Sequence, residues 1–324
     1  MRLARIQVWL LHSATQMPNE DFTGRKIAGY KLKSRVGEGG TATVYQAEHP
    51  EHGRCAVKIL KQRTRSDPIA VKRFLREAGY GAKVQHSAVV RTYDFGEEDG
   101  IDYLALEWVD GEPLSEFVRR SGPLAPSLVS HIVTQLANGL GAAHTVGIIH
   151  RDLKPENVVY NPSTRTAKLL DFGIARDAQE ASSDRLTRTG FFVGTLQYVA
   201  PEALSGELVG EKADTFSLAK ITYFLLTGVQ PHPGRSPREV FHQLLTQPPI
   251  PLNEAVGDLE FPAELQMAIM KGLERQPEDR HTRVQEFAEH VARGVNAVDE
   301  PTPQKGRGLF GAIKSLVKGK DAAK

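Results

Sequence analysis

The run His150-Arg151-Asp152-Leu153-Lys154-Pro155-Glu156-Asn157 and, a little further on, Asp171-Phe172-Gly173 set two carboxylates, an amide and an ammonium at fixed intervals. Phosphoryl transfer needs such a set. An aspartate takes the proton of an attacking hydroxyl, a lysine offsets charge on the moving phosphate, and an amide oxygen with a second carboxylate holds the divalent cations that bridge the phosphates. Upstream, Val36-Gly37-Glu38-Gly39-Gly40-Thr41-Ala42-Thr43-Val44 sits between two strand patterns. Its glycines let backbone N–H groups close over phosphates without side-chain obstruction. Alone, that loop is weak evidence of a nucleotide site and reads more readily as a plain β-turn.

With these residues in this order, the chain resembles the protein kinase superfamily, and within it the eukaryotic-like serine/threonine kinases of bacteria. The likeness runs from about Tyr30 to about Val291, some four fifths of the sequence. It implies an α+β, bilobal protein kinase fold: a small β-rich N-lobe (30–108), a larger helical C-lobe (112–291), and ATP held between them. By this resemblance Asp152 orients the acceptor hydroxyl and takes its proton, and Lys154 pairs with the γ-phosphate. Asn157 and Asp171 each hold a Mg2+ ion, with Mn2+ as a substitute. Lys58, in Ala56-Val57-Lys58, becomes the strand lysine on the α- and β-phosphates, and Glu77, in Arg73-Phe74-Leu75-Arg76-Glu77-Ala78, the carboxylate that holds it. Gly37, Glu38, Gly39, Gly40, Thr41, Ala42 and Thr43 cover the phosphates. Ala42 stands where the family has its third glycine, so the loop is expected to work but to be slightly stiffer. Val36, Val44, Ala56 and Val159 line the two faces of the adenine slot and Leu106 its back, and the hinge Glu107-Trp108-Val109 offers backbone groups to the base edge.

The same likeness bounds an activation segment from Asp171 to Ala200-Pro201-Glu202, with Ser182, Ser183, Thr187 and Thr189 between. Arg151, ahead of the catalytic aspartate, belongs to the kind of basic cluster that captures a phosphate on this segment. Thr187 or Thr189 is therefore expected to be autophosphorylated, in trans through a transient homodimer; exposed loop hydroxyls without that role are the alternative. Lys154 with Thr195 of Gly194-Thr195 indicates Ser or Thr of protein substrates rather than Tyr. Glu202 is expected to pair with Arg280, and Asp214 to brace the backbone of the catalytic loop. Lys220, inside a strongly apolar helix, is expected to snorkel to solvent. A scaffold without activity would have lost Lys58, Asp152 or Asp171. A small-molecule phosphotransferase would lack the segment from Gly194 to Glu202.

The elements that must position these residues are legible in outline. Tyr30 to Val36 alternates as a strand should, and Thr43 to Ala47 and Arg54 to Leu60 are two more β-rich runs, split by His49-Pro50-Glu51-His52-Gly53. Pro68 to Gln85 reads as a helix with Asp67 as N-cap. Val89 to Phe95 and Tyr103 to Trp108 read as strands around a Glu97-to-Gly100 turn. After Gly111 the texture becomes helical. Pro126 to Val146 puts Leu128, Ile132, Val133, Leu136, Leu140 and Ala143 on one face. Thr215 to Thr227, Glu239 to Leu245, Ala263 to Leu273 and Arg283 to Arg293 are further helices.

Composition is that of a globular protein, 40% apolar and 25% charged, with a net charge of +2. The charge is uneven. Lys305, Arg307, Lys314, Lys318, Lys320 and Lys324 against Asp321 give the tail +5, and Arg2 and Arg5 give the first seventeen residues +2, which leaves the body at −5. An acidic body argues against nucleic acid as a partner. The lone Cys55 precludes an internal disulfide, and a cytoplasmic location is expected, with the inner membrane face as a peripheral site. Residues 1–29 read as an N-terminal extension. Its start is a disordered leader, or lies upstream of a true start at Met17; a signal peptide is a weaker reading, because its apolar core is short and broken by Gln7. Residues 292–307 read as a linker. In 308–324, Leu309, Phe310, Ile313, Leu316 and Val317 form one face of a basic amphipathic helix. Three readings of this tail stay open: weak contact with an anionic membrane surface, docking on a partner or on the chain itself, or no role.

Overall fold

The structure, a computed structural model, describes residues 20–172, 196–205, 207, 209–257 and 259–297. The expectations for the start of the chain before residue 20, for the tail 308–324, and for Thr187, Thr189 and Thr195 fall outside the described residues. Two compact units emerge. One takes the described residues through Ala82 together with Arg91–Trp108, and the other takes Lys83–Val90 and the described residues from Val109 onward.

The first unit is a sheet with one main helix. Its strands are β1 (Lys26–Ile27), β2 (Tyr30–Glu38), β3 (Ala42–His49), β4 (Gly53–Leu60), β5 (Thr92–Glu98) and β6 (Ile101–Glu107), in the order β1-β2-β3-β4-β6-β5, all antiparallel. A short turn of helix, α1 (Gln62–Arg65), leads into α2 (Pro68–Gly81). Strand alternation sorts the side chains. Tyr45, Ala47, Cys55, Val57, Ile59, Tyr103 and Ala105 bury on one face with Phe22, Ile27, Tyr30 and Leu32. On the other face Ala42, Leu60 and Leu104 pack against Phe74 and Ala78 of α2. The Asp67 carboxylate caps α2 by accepting the Ile69 N–H at 2.9 Å, and Pro68 takes the first turn, where its missing donor costs nothing.

Several boundaries differ from the sequence reading, and two of them have a cause far along the chain. Helix α2 stops at Gly81 rather than Gln85, because the following residues are taken up by the second unit. The Val90 N–H donates to the Leu169 carbonyl at 2.9 Å and the Leu169 N–H to the Ala88 carbonyl at 2.8 Å. The same bonds delay the next strand to Thr92. The turn itself is shorter than expected: Asp99 and Gly100 both have positive φ, 52° and 75°, as a two-residue type I′ hairpin demands.

The second unit is mainly helical: α3 (Leu114–Ser121), α4 (Pro126–Thr145), α5 (Pro201–Ser205), α6 (Lys212–Thr227), α7 (Pro237–Thr246), α8 (Ala263–Gly272) and α9 (Val284–Asn296). A small sheet, β7 (Glu112–Pro113), β8 (Val158–Asn161) and β9 (Thr166–Leu169), completes it. Helix α4 buries Val129, Ile132, Val133, Leu136, Ala137, Leu140 and Ala143. Val129 thus takes the inward place expected of Leu128, which is half-buried. At Gly111 (φ 147°) a Cβ would lie 2.6 Å from the Tyr160 carbonyl oxygen, so only glycine lets this segment lie against β8.

Helix α6 is buried almost all round, and this overturns one expectation. Lys220 does not snorkel: it is fully buried, its Nζ has no hydrogen-bond partner, and it lies 5.8 Å from the centre of the Phe216 ring. No face of α6 leads the long side chain to water. Burial instead pushes its pKa down to about 7. In the unfolded chain the amine keeps its proton to about pH 10.4. Between those values the unfolded state holds more protons, so this group makes stability rise with pH by up to about 1.4 kcal/mol per unit. Lys220→Met is expected to stabilise the protein at pH 7 by roughly 2–4 kcal/mol and to remove that part of the slope. Urea unfolding at pH 7 and pH 9 measures it; parallel pH dependence in the two proteins would show that the amine is charged in the fold.

Candidate active site

In the first unit the nucleotide-facing candidates fall on one face of the sheet. Lys58 pairs in register with Val44 on one side and Leu104 on the other, and Ala56 pairs with Gln46 and Leu106. Directly opposed residues of an antiparallel ladder point the same way. Val44, Ala56, Lys58, Leu104 and Leu106 therefore share the face that α2 covers further along, through Leu60 and Leu104 against Phe74 and Ala78. Glu77 lies on α2 between those two packed residues. Val36 is the extra residue of a β-bulge, between the Arg35–Tyr45 and Gly37–Val44 pairs, and it is 48% exposed.

The glycine-rich tip is fastened from outside. The Gly39 N–H donates to the Ala42 carbonyl at 2.8 Å, the Lys61 N–H to the Thr41 carbonyl at 2.9 Å, and the Arg63 guanidinium to the Gly40 carbonyl at 2.6 Å. Lys61 Nζ also reaches the Glu38 carboxylate. Thr43 is buried behind the tip. Ala42 is more than a stiffer stand-in for glycine: its methyl is buried among Leu60, Phe74, Ala78 and Leu104 and starts β3. At the hinge the Glu107 N–H already donates to the Arg91 carbonyl at 2.8 Å, and the Trp108 ring lies 5.2 Å under the Arg54 guanidinium. Val109 falls in the second unit.

In the second unit the loop before β8 gathers three candidates. Asp152 Oδ2 accepts from Lys154 Nζ at 2.7 Å and from Asn157 Nδ2 at 3.1 Å, and the same Nδ2 donates to the Asp152 carbonyl at 2.8 Å. The amide nitrogen is thereby committed to Asp152, which leaves Oδ1 as the atom of Asn157 suited to a cation. Val159 follows on β8, half-buried.

Asp214, at the start of α6, holds this loop from beneath. Fully buried, it accepts the His150 N–H at 2.9 Å, the Arg151 N–H at 3.0 Å and His144 Nε2 at 2.7 Å. Burial alone would raise its pKa; the hydrogen bond and charge of His144, with the contribution of His150, outweigh it and hold the carboxyl below its usual value. Arg151 has φ 62°, a conformation that a non-glycine residue keeps only when its surroundings over-determine it. The paired N–H bonds to Asp214 supply that constraint.

The imidazole of His150 reaches the opposite way. Its Nε2 donates to the Leu170 carbonyl at 3.1 Å, while the Leu170 N–H donates to the Asn157 carbonyl at 2.8 Å. Asp171, next in the chain, is exposed with φ 38°, and Phe172 is buried 5.1 Å from the His150 ring. Sequence reasoning gave no role to His144 or His150. His144 carries no local signal, since its partner lies 70 residues away.

The end of the activation segment is anchored as expected. Glu202 and Arg280 form a buried bidentate pair at 2.8 and 2.8 Å. Arg280 also donates to the carbonyls of Lys212 (3.0 Å), Glu274 (2.7 Å) and Arg275 (2.8 Å), so each of its five N–H groups has an acceptor. Breaking such a pair from one side typically costs about 3–5 kcal/mol.

These features define a two-unit molecule whose β-rich part carries a glycine loop and a strand lysine, and whose helical part carries an Asp-Lys-Asn loop. A model of the protein kinase domain matches residues 30–292, and the chain belongs to that family. It is 36% identical over 280 residues to the serine/threonine-protein kinase pkn2 of Myxococcus xanthus, covering 86% of this chain and 34% of that protein. It is 34% identical over 280 residues to the serine/threonine-protein kinase PknB of Mycobacterium tuberculosis, covering 85% and 44%. The chain thus spans less than half the length of these curated relatives. Among solved structures, the PknI kinase domain of Mycobacterium tuberculosis superposes with a TM-score of 0.66 at 30% identity, covering 84% of this chain and 98% of that one.

Proposed function

We propose that this protein is a serine/threonine protein kinase that moves the γ-phosphate of ATP, with Mg2+, to Ser or Thr of protein substrates. The observation that carries the reading is the Asp152 carboxylate, oriented by Lys154 at 2.7 Å and Asn157 at 3.1 Å on a loop braced by Asp214. The donor set fits a hard divalent cation: the Asn157 amide oxygen and the Asp171 carboxylate are oxygen ligands, as Mg2+ requires. Bound Mg-ATP supplies the transferable group and the neutralising charge. Asp152 then positions the acceptor hydroxyl and takes its proton, and Lys154 offsets charge beside it. Lys58, placed by β4 and steadied by Glu77 from α2, holds the phosphates. On the first unit Val36, Val44, Ala56 and Leu106 are the candidates for the base and Glu107 for its edge; on the second, Val159 and Val109 are the candidates for the same roles.

Incubation of the purified chain with γ-labelled ATP and casein or myelin basic protein tests this, with Asp152→Asn as the control. Label on Ser and Thr from the wild type alone is the expected result; no label under any divalent cation would end the reading. Autophosphorylation at Thr187 or Thr189, in trans, is part of the proposal and rests on Arg151 and on those hydroxyls alone. Intact-mass analysis is expected to find the wild type heavier than Asp152→Asn by whole phosphates. Equal masses after incubation with Mg-ATP would remove the idea.

A further inference from the structure

We propose that His281, Glu286 and His290 form a site for one divalent transition-metal ion of the zinc type, at the entrance of helix α9 and sharing no residue with the catalytic loop. The ligand atoms of the three side chains all lie within 4.8 Å of one another. Glu286 and His290 are four apart on α9, hence on one face, and side chains there tilt back toward the helix start, where His281 precedes it.

Hydrogen bonding selects the nitrogens. His281 is fully buried, and its Nε2 lies 2.9 Å from the Ala268 carbonyl oxygen on α8. A carbonyl only accepts, so Nε2 carries the hydrogen and Nδ1 presents a lone pair. Protein zinc sites orient their histidines in this way, with the far N–H fixed by a carbonyl or carboxylate. That Nδ1 lies 3.1 Å from His290 Nδ1. Two nitrogens bound to one tetrahedral ion at about 2.0–2.1 Å are separated by about 3.3–3.4 Å, so the pair needs only a small parting to admit the ion. Glu286 is pinned by the Thr282 N–H, 2.8 Å from Oε2, and has a second oxygen to give. Two imidazoles and one carboxylate favour zinc over Mg2+ or Ca2+, which take all-oxygen sets, and leave a fourth position for water.

The frame is stiff. At Gly294 a Cβ would lie 2.5 Å from the Leu265 backbone, and at Gly272 3.0 Å from the Phe287 ring, so α8 and α9 pack without slack around the three residues. Lys271 on α8 also faces the cluster and opposes the incoming charge. Without metal, the His290 Nδ1–H donates to His281 Nδ1. Binding forms three coordinate bonds and breaks that hydrogen bond, and the displaced proton passes through solvent to His290 Nε2. The only other such group among the described residues, His49, Glu51 and His52, is less suited: His49 Nδ1 already accepts the Glu51 N–H at 3.2 Å and the two rings stack.

The site adjoins Arg280, the buried partner of Glu202, so an ion here ties the entrance of α9 to the anchor of the activation segment. Its occupancy is read without any kinase assay and stands apart from the function proposed above. The full chain is stripped with chelator, kept in excess Mg2+ to fill oxygen sites, and titrated with Zn2+ against a chromophoric chelator and, separately, with Co2+. One equivalent bound, a higher melting temperature and the intense visible bands of four-coordinate Co2+ are expected. Glu286→Gln and His290→Gln, checked for folding by circular dichroism, are expected to weaken Zn2+ by about 10- to 100-fold or more and to lose the bands. His242→Gln on α7 is expected to change neither. Wild type that takes up no Zn2+ in Mg2+, or a folded Glu286→Gln that binds as wild type does, would overturn the site.

Discussion

Asp152→Asn is expected to lower phosphoryl transfer to protein by about 100- to 10,000-fold while leaving the fold in place. The substitution keeps the shape of the side chain, so the loop from His150 to Asn157 keeps its backbone bonds to Asp214 and Leu170. An amide cannot take the hydroxyl proton. Its nitrogen, if turned inward, also confronts the Lys154 ammonium that now donates to Oδ2 at 2.7 Å. Initial rates at saturating ATP, with nucleotide binding measured beside them, separate loss of chemistry from loss of binding. Retention of more than about a tenth of the rate would remove Asp152 as the proton acceptor and shift attention to substrate-assisted transfer.

Asp214→Ala is expected to cost about 3–5 kcal/mol of stability and most of the activity. One carboxylate serves two backbone N–H groups and the His144 imidazole, all in a buried setting where each orphaned donor costs about 1–3 kcal/mol. Water entering the cavity returns part of this. The folded-state pKa is held below the unfolded one, so the stabilisation is complete above about pH 4 and is lost as pH falls through the lowered value. Wild type and variant should therefore converge in stability in acid and diverge toward neutrality. Urea unfolding at pH 3 and pH 7 measures the difference; a constant gap would mean that the carboxylate charge is not what holds the loop. Activity at a temperature where the variant is still folded tests the second half. Without Asp214 the Arg151 backbone has no reason to stay at φ 62°, and Asp152 moves with it.

How far the sequence alone leads is clearest residue by residue. Alternation and turn signals locate β2, β3 and β4 because one face of each is buried; the period of two runs on through β3 and β4, although two bulges interrupt it in β2. Asp67 and Pro68 mark the start of α2 because capping is local chemistry. The end of α2 is not local: Ala88 and Val90 are claimed by Leu169, far along the chain, and no window of sequence contains both. The Glu202–Arg280 pair was legible only through resemblance, since its partners are 78 residues apart. The sequence misleads at Lys220 for a simple reason. Composition shows that α6 is apolar but not that every side of it is covered, and whether a lysine reaches water depends on the coverage. The three ligands of the proposed metal site lie within ten residues, yet the spacing of Glu286 and His290 is unremarkable until the Ala268 carbonyl fixes the ring of His281.

Leu170 is gripped on both sides, its N–H by the Asn157 carbonyl and its C=O by His150. Any reorientation of Asp171 must therefore pivot at Asp171 itself, downstream of a post that the catalytic loop does not release. A swing there starts from a φ of 38°, so it relaxes a wound spring rather than winding one. The left-handed backbone at Asp171 is therefore held by its neighbours and not by its own preference.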